Sequence, residues 1–229
     1  MRIILKCMKK IIIVLTIFIL SQKSCLAEIR ILFTAALIDL NFDERKKEYI
    51  KTLEVLDSYG YTNCYIVEAI KSDGPTFLEK HSQNVIYSNV NNSSLRNKGV
   101  NEAQSIKKAL NQFKFDDNDM IIKITGRYFF TSDTFLIKVK NSPEFDAFFK
   151  TGAGEQIFTG CFALRYKYFK EFIYQLDLEV MESNMINIEW KLAQYIESLK
   201  TKNIKIMKLD QLDITANIFG NGNSALYYW

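Results

Sequence analysis

The chain has 229 residues, 48% of them apolar, 24% charged and 14% aromatic, which excludes a disordered or collagen-like chain and supplies enough apolar material for one compact core. The formal charge of +4 belongs to the N-terminal segment: residues 1–27 hold Arg2, Lys6, Lys9, Lys10 and Lys23 and no acid, and the remainder carries 25 cations against 26 acids. That balance removes the electrostatic argument for a nucleic-acid partner.

Lys9 and Lys10 precede an apolar run, Ile11 to Leu20, interrupted only by Thr16, and Cys25–Leu26–Ala27 follows a polar stretch. This is the order of a secretory signal peptide, with cleavage expected after Ala27. An uncleaved N-terminal membrane anchor is the alternative, since Lys23 lies close to that site. Ten residues are short of the roughly 20 that a helical span needs. Export (periplasmic or secreted) or membrane anchoring through residues 11–20 is therefore expected. With two prolines and no Gly/Ser-rich linker, residues 28–229 read as a single domain. Of its two cysteines, Cys64 and Cys161, buried free thiols are favoured over one bridge.

Ile29 to Ala36 is a short apolar run and predicts a buried strand. A helix enters at Asn41 or Phe42, with Asp43 and Glu44 at its positive end and Tyr49, Ile50, Leu53 and Leu56 on one face; Gly60 closes it. Asn63–Ala69 and Asn84–Ser88 read as strands, separated by a loop that turns at Asp73–Gly74–Pro75. Val100, Ala103, Ile106, Leu110 and Phe113 fall at helical spacing. Met120 to Thr125 is the clearest strand. This alternation predicts an α/β fold, a mainly parallel sheet flanked by helices. Beyond it, Thr134–Lys140, Glu144–Phe149 and Gln156–Leu164 read as strands. Helical faces follow at Phe169–Leu176 and Ile188–Leu199, and a last strand at Ile204–Leu209.

Lys123 stands mid-strand between Ile122 and Ile124, where an unpaired ammonium would be costly. Thr125–Gly126–Arg127–Tyr128 follows at the carboxyl end, the place where open α/β sheets bind ligands. Gly126 allows close backbone approach, and Arg127 offers a bidentate fork for phosphate. A snorkelling edge lysine and a surface arginine would give the same residues.

Asn97–Lys98–Gly99 with Glu102 and Ala103, an acidic turn, and then Lys123–Ile124–Thr125–Gly126–Arg127 resemble a group of bacterial and viral glycosyltransferase-like proteins. Thr159–Gly160–Cys161–Phe162 and Ile188–Glu189 extend the resemblance, which covers roughly residues 30–200. It implies a GT-A-like nucleotide-diphospho-sugar transferase fold, whose first half binds the nucleotide sugar and whose second half shapes the acceptor side. The chain departs from that fold's usual Asp-x-Asp metal motif: Thr125–Gly126–Arg127 stands in its place. Asp117–Asn118–Asp119 precedes the strand and reads as a solvated turn.

The resulting expectation is transfer of a sugar from a nucleotide diphosphate to a glycan or lipid-linked acceptor, with no cofactor beyond the donor substrate and no metal. Arg127, supported by Lys123, would stabilise the diphosphate. Asn97, Lys98, Gly99 and Gly126 would contact the nucleotide, and Glu102 a sugar or ribose hydroxyl. Glu155 or Glu189 would take the acceptor proton; an exposed loop acid and a helix N-terminal acid are their plain readings. The alternative function is an exported, non-catalytic glycan- or protein-binding module. His81 is the only histidine and sits in a polar stretch; a lone surface histidine is its plain reading, which argues against His-dependent triads and zinc sites.

Overall fold

The structure is a computed structural model and describes residues 27–37, 42–70, 75–90, 93–220 and 223–228. The apolar run at 11–20, the Asp73–Gly74 turn and Trp229 lie outside these residues. Among the described residues, no helix is long and apolar enough to cross a membrane.

The elements follow the expected alternation. Strand β1 (Ile29–Ala35) leads to helix α1 (Phe42–Ser58), β2 (Tyr65–Glu68), a 3-10 turn at Phe77–Lys80, β3 (Asn84–Tyr87), α2 (Lys98–Leu110) and β4 (Met120–Thr125). Then come β5 (Tyr128–Phe130), α3 (Thr134–Asn141), β6 (Ala147–Phe149), β7 (Cys161–Arg165), α4 (Tyr166–Gln175), α5 (Leu178–Ser183), α6 (Ile188–Lys200), β8 (Ile206–Lys208), β9 (Ile214–Gly220) and β10 (Asn223–Tyr228). Seven strands form one sheet in the order β3-β2-β1-β4-β7-β6-β8. β3, β2, β1 and β4 pair in parallel, β7 runs against β4 and β6, and β6 and β8 are again parallel. The fold is thus α/β with a mainly parallel sheet. A second, antiparallel sheet joins β10, β9 and β5.

The period-two alternation of the strands divides the core by sheet face. Leu32 and Ile121 pack with Val100, Ile106, Phe169, Phe172 and Leu192 from α2, α4 and α6. Phe33, Ile122 and Ile124 pack on the other side with Tyr49, Leu53 and Leu56 of α1 and with Phe135 and Leu136 of α3. Lys123 and Thr125 share the parity of Ile121 and so face α2. Gly126 has the opposite parity and faces α1.

Thr134–Asn141 is a helix, not the expected strand. Helical spacing buries Phe135, Leu136 and Val139 together and leaves Ile137 46% exposed; a strand would have set Ile137 beside Phe135 in the core. The strand expected from Gln156 begins only at Cys161, because Ile157 and Phe158 are held by a bridge to Thr151 and a bond to the Lys150 carbonyl. Asp119 is buried, not solvated. Its carboxylate accepts from the Glu28 and Asp116 amides at 2.9 and 3.1 Å, clamping the start of β1 to that of β4. Cys64 and Cys161 are free and buried, and burial pushes both thiols up, that of Cys64 to about 12.

Candidate functional site

The carboxyl ends of β1 and β4, the first turns of α2 and α6, and the segment entering β7 enclose a crevice of about 340 Å³. Each wall has a local cause. Asn97 caps α2, its Oδ1 accepting from the Gly99 amide at 3.0 Å. Asn187 caps α6 by accepting from the Trp190 amide at 2.9 Å. Glu68, fully buried at the end of β2, accepts from the amides of Leu37 and Ile70 and fixes the chain leaving β1.

The hub of the crevice is an ion pair. Lys123 Nζ lies 2.6 Å from Glu102 Oε1 and donates to Thr125 Oγ1 and to the Thr159 carbonyl, both at 2.7 Å. An ammonium has three N–H donors, and all three are used. Thr34 Oγ1 also donates to Glu102 Oε1, at 3.1 Å. Burial opposes the Glu102 charge. Lys123, through both its charge and its hydrogen bond, the Thr34 bond and the charge of Arg127 prevail, and the carboxyl stays below its usual range. Thr159 links this hub to a second acid: its hydroxyl donates to Glu189 Oε1 at 2.7 Å.

Arg45, Lys98 and Arg127 line the same crevice, Lys98 one helical turn before Glu102 on α2. Arg127 occupies the turn between β4 and β5, and its buried Nε has no hydrogen-bond partner. Behind it lies Glu48 of α1, 5% exposed, with both carboxylate oxygens buried and unpartnered. Burial raises the Glu48 carboxyl to about 7, against the lowering charges of Arg45 and Arg127. Buried orphaned donors and acceptors are rare in native proteins, and of these two residues Arg127 also lines the crevice.

Of the residues singled out in the sequence, Lys98, Glu102, Arg127 and Glu189 line the crevice, with Lys123 buried behind its wall. Asn97 and Gly99 act one step back. Asn97 Nδ2 donates to the Met181 and Ile186 carbonyls, and a Cβ on Gly99 would come within 3.2 Å of the Ile188 side chain. Gly126 is not open to a ligand: a Cβ there would meet Phe33 Cζ at 2.5 Å and Tyr49 Cδ1 at 2.6 Å. Its carbonyl lies 2.6 Å from the Thr52 hydroxyl, so the glycine lets α1 close on the strand end. Glu155 lines a different hollow. Sequence reading missed Thr34, Arg45 and Glu48. Thr34 was within reach, as the last polar residue of a strand whose carboxyl end faces the site. Arg45 and Glu48 sit in the charged run Asp43–Glu48, where nothing marks them out.

Among the described residues no group of three His, Cys, Asp or Glu could hold a metal ion. Glu102 is already neutralised by Lys123, and Asp117 and Asp119 lie at the other end of β4, about 20 Å away at 3.3 Å per residue.

No family model matches the sequence, and no curated protein matches it. Solved structures resemble it. A protein from Desulfovibrio desulfuricans put forward as a nucleotide-diphospho-sugar transferase has a TM-score of 0.47 at 10% identity, covering 80% of both chains. A glycosyltransferase involved in glycosylating the major capsid of PBCV-1 has a TM-score of 0.44 at 14% identity, covering 79% of this chain and 81% of its own. The apo glycosyltransferase GlyE of Streptococcus pneumoniae has a TM-score of 0.42 at 14% identity, with 80% of this chain matching 45% of that one.

Proposed function

We propose that the chain is a glycosyltransferase of GT-A-like fold that moves a sugar from a nucleotide diphosphate to a glycan or lipid-linked acceptor. The observation that carries the reading is the unpartnered, buried Nε of Arg127 at the carboxyl ends of β1 and β4, in a crevice that Arg45, Lys98, Glu102 and Glu189 also line. Sugar transfer breaks the bond between the anomeric carbon and the diphosphate oxygen, and negative charge grows on the departing phosphate. Fixed guanidinium groups stabilise that charge without reorganising.

In this reading Arg127 binds the diphosphate, helped by Arg45 and Lys98, and no Asp-x-Asp metal is required. Lys123 has no donor left for phosphate; it positions Glu102, whose carboxylate accepts from a sugar or ribose hydroxyl. Glu189, oriented by Thr159, takes the acceptor proton. Asn97 supports the site through its side-chain bonds, and Gly99 and Gly126 by allowing close packing. The N-terminal segment carries the domain to the cell envelope, exported or anchored.

The test is a thermal-shift screen of UDP, GDP, CMP and dTDP and their sugar derivatives, since a ligand of the folded state raises its melting temperature. A shift of several degrees with one nucleotide diphosphate, and slow hydrolysis of its sugar, is expected. No shift with any of them would sink the transferase reading.

A further inference from the structure

A second hollow, about 890 Å³, is lined by residues of α6, the 154–157 turn, β6 and the edge strand β8. Its volume is within the roughly 300–1,000 Å³ of ligand pockets. The two hollows share a wall. Glu189 lines the crevice while the next residue, Trp190, lines the hollow, and the Ile157 amide bonds to the Glu189 carbonyl between them.

Its chemistry differs from that of the crevice. Trp190 is 46% exposed and presents on the wall of the hollow an indole, an apolar ring with one N–H donor. Gln194 and Glu197 follow it on the same face of α6, at helical spacings of four and three. Opposite them Gly154 and Glu155 both have left-handed backbone, φ 65° and 60°, which for a non-glycine residue is a strained conformation. That turn sets Glu155 on the rim and Gln156 beside it, the Gln156 Oε1 held by Asn187 Nδ2 at 3.2 Å. The floor is apolar. The rim charges balance: Glu155 and Glu197 against Lys200 and Lys208, with Glu197 and Lys200 paired at 2.5 Å.

An exposed indole over an apolar floor, ringed by amides and paired charges, offers a flat hydrophobic face together with in-plane donors and acceptors. Pyranose rings present the complement: a C–H face that stacks on aromatic rings and an equator of hydroxyls. The zero net charge argues against nucleic acid, phosphate or an anionic lipid, each of which needs a cationic excess.

We infer that this hollow is a saccharide-binding groove that holds a neutral oligosaccharide on Trp190, apart from the crevice that takes the anion. For its purpose, holding the distal part of a glycan acceptor, the inference rests on the transferase reading; for its chemistry it rests on the groove alone.

The experiment is calorimetric titration of the folded chain with four neutral probes: maltohexaose, cellohexaose, mannohexaose and chitohexaose. At least one is expected to bind more tightly than about 10 mM. Trp190→Ala is expected to weaken it at least about tenfold, as loss of an aromatic anchor does, with binding of a nucleoside diphosphate unchanged. Arg127→Ala should do the reverse. Absence of binding by all four probes, or binding undiminished in Trp190→Ala, overturns the groove. Loss of nucleotide binding alone concerns only the transferase reading.

Discussion

Lys123 of β4 and Glu102 of α2 form an ion pair at 2.6 Å, with the lysine side chain 1% exposed and the glutamate 25% exposed. The pair explains why a lysine stands in the middle of an isoleucine strand: it ties the sheet to the helix whose first turn lines the crevice. Breaking such a pair leaves one buried charge uncompensated. Glu102→Ala or Lys123→Ala should each cost about 3–5 kcal/mol, whereas a double replacement by apolar residues of similar volume should recover much of the loss. Denaturant unfolding of the three variants checks this. Additive losses in the double variant would show that the two residues do not act as a pair.

Gly126 packs where no side chain fits. A Cβ would lie 2.5 Å from Phe33 Cζ and 2.6 Å from Tyr49 Cδ1, rings that are themselves buried and set edge to face at 5.7 Å. Gly126→Ala should therefore destabilise by about 1–3 kcal/mol, the usual cost of overpacking. An unchanged midpoint of unfolding would mean that α1 can retreat from the strand end.

The first half of the fold was legible because each strand there is a short run of β-branched and aromatic residues and each helix shows one apolar stripe. Lys123 was visible as a residue needing a partner, and Glu102 as an acid in the first turn of its helix. That they are each other's partner was not, because it depends on β4 lying beside β1 under α2, a matter of sheet order. Thr134–Asn141 misled because Phe135, Ile137 and Val139 alternate like a strand. The helix wins because Phe135 and Leu136 both face the core. Glu48 was hidden for the opposite reason: among Glu44, Arg45, Lys46 and Lys47 it reads as a solvated face, and only the packing of α1 in the fold buries it.

Arg127 is partly buried and its Nε makes no hydrogen bond, so its loss removes no internal bond there and should leave the fold intact. Arg127→Ala should change stability by no more than about 0.5 kcal/mol while reducing donor turnover roughly 100- to 1,000-fold. Arg127→Lys should recover only part, since it keeps the charge without the fork. Melting temperature and single-turnover rate, measured on the same preparations, decide. A large drop in stability would give Arg127 a structural role instead.

Nucleotide-sugar turnover is expected to survive chelation. The crevice acids Glu102 and Glu189 are bonded to Lys123 and Thr159, and no third acid joins them among the described residues. Activity abolished by EDTA and restored by manganese would show that a metal is held after all.

Glu48 gives the fold a pH dependence of defined sign. Burial raises its carboxyl from about 4.5 to about 7, Arg45 and Arg127 opposing and the neighbouring Glu44 assisting. Below 4.5 the group is protonated in both folded and unfolded chains and contributes nothing. Between 4.5 and 7 the unfolded chain releases the proton while the folded chain keeps it, so stability falls as pH rises, by up to about 1.4 kcal/mol per unit. Above 7 the penalty is complete. Glu48→Gln cannot ionise and escapes it. The stability of the variant minus that of the native chain should therefore climb between pH 4.5 and 7 and then level, at about 3 kcal/mol. Urea unfolding at intervals across pH 4–8 measures this difference directly, with the slopes of all other carboxylates cancelling. A difference that is flat with pH would mean that Glu48 ionises freely in the folded protein, and that the polar pocket behind Arg127 is open to water.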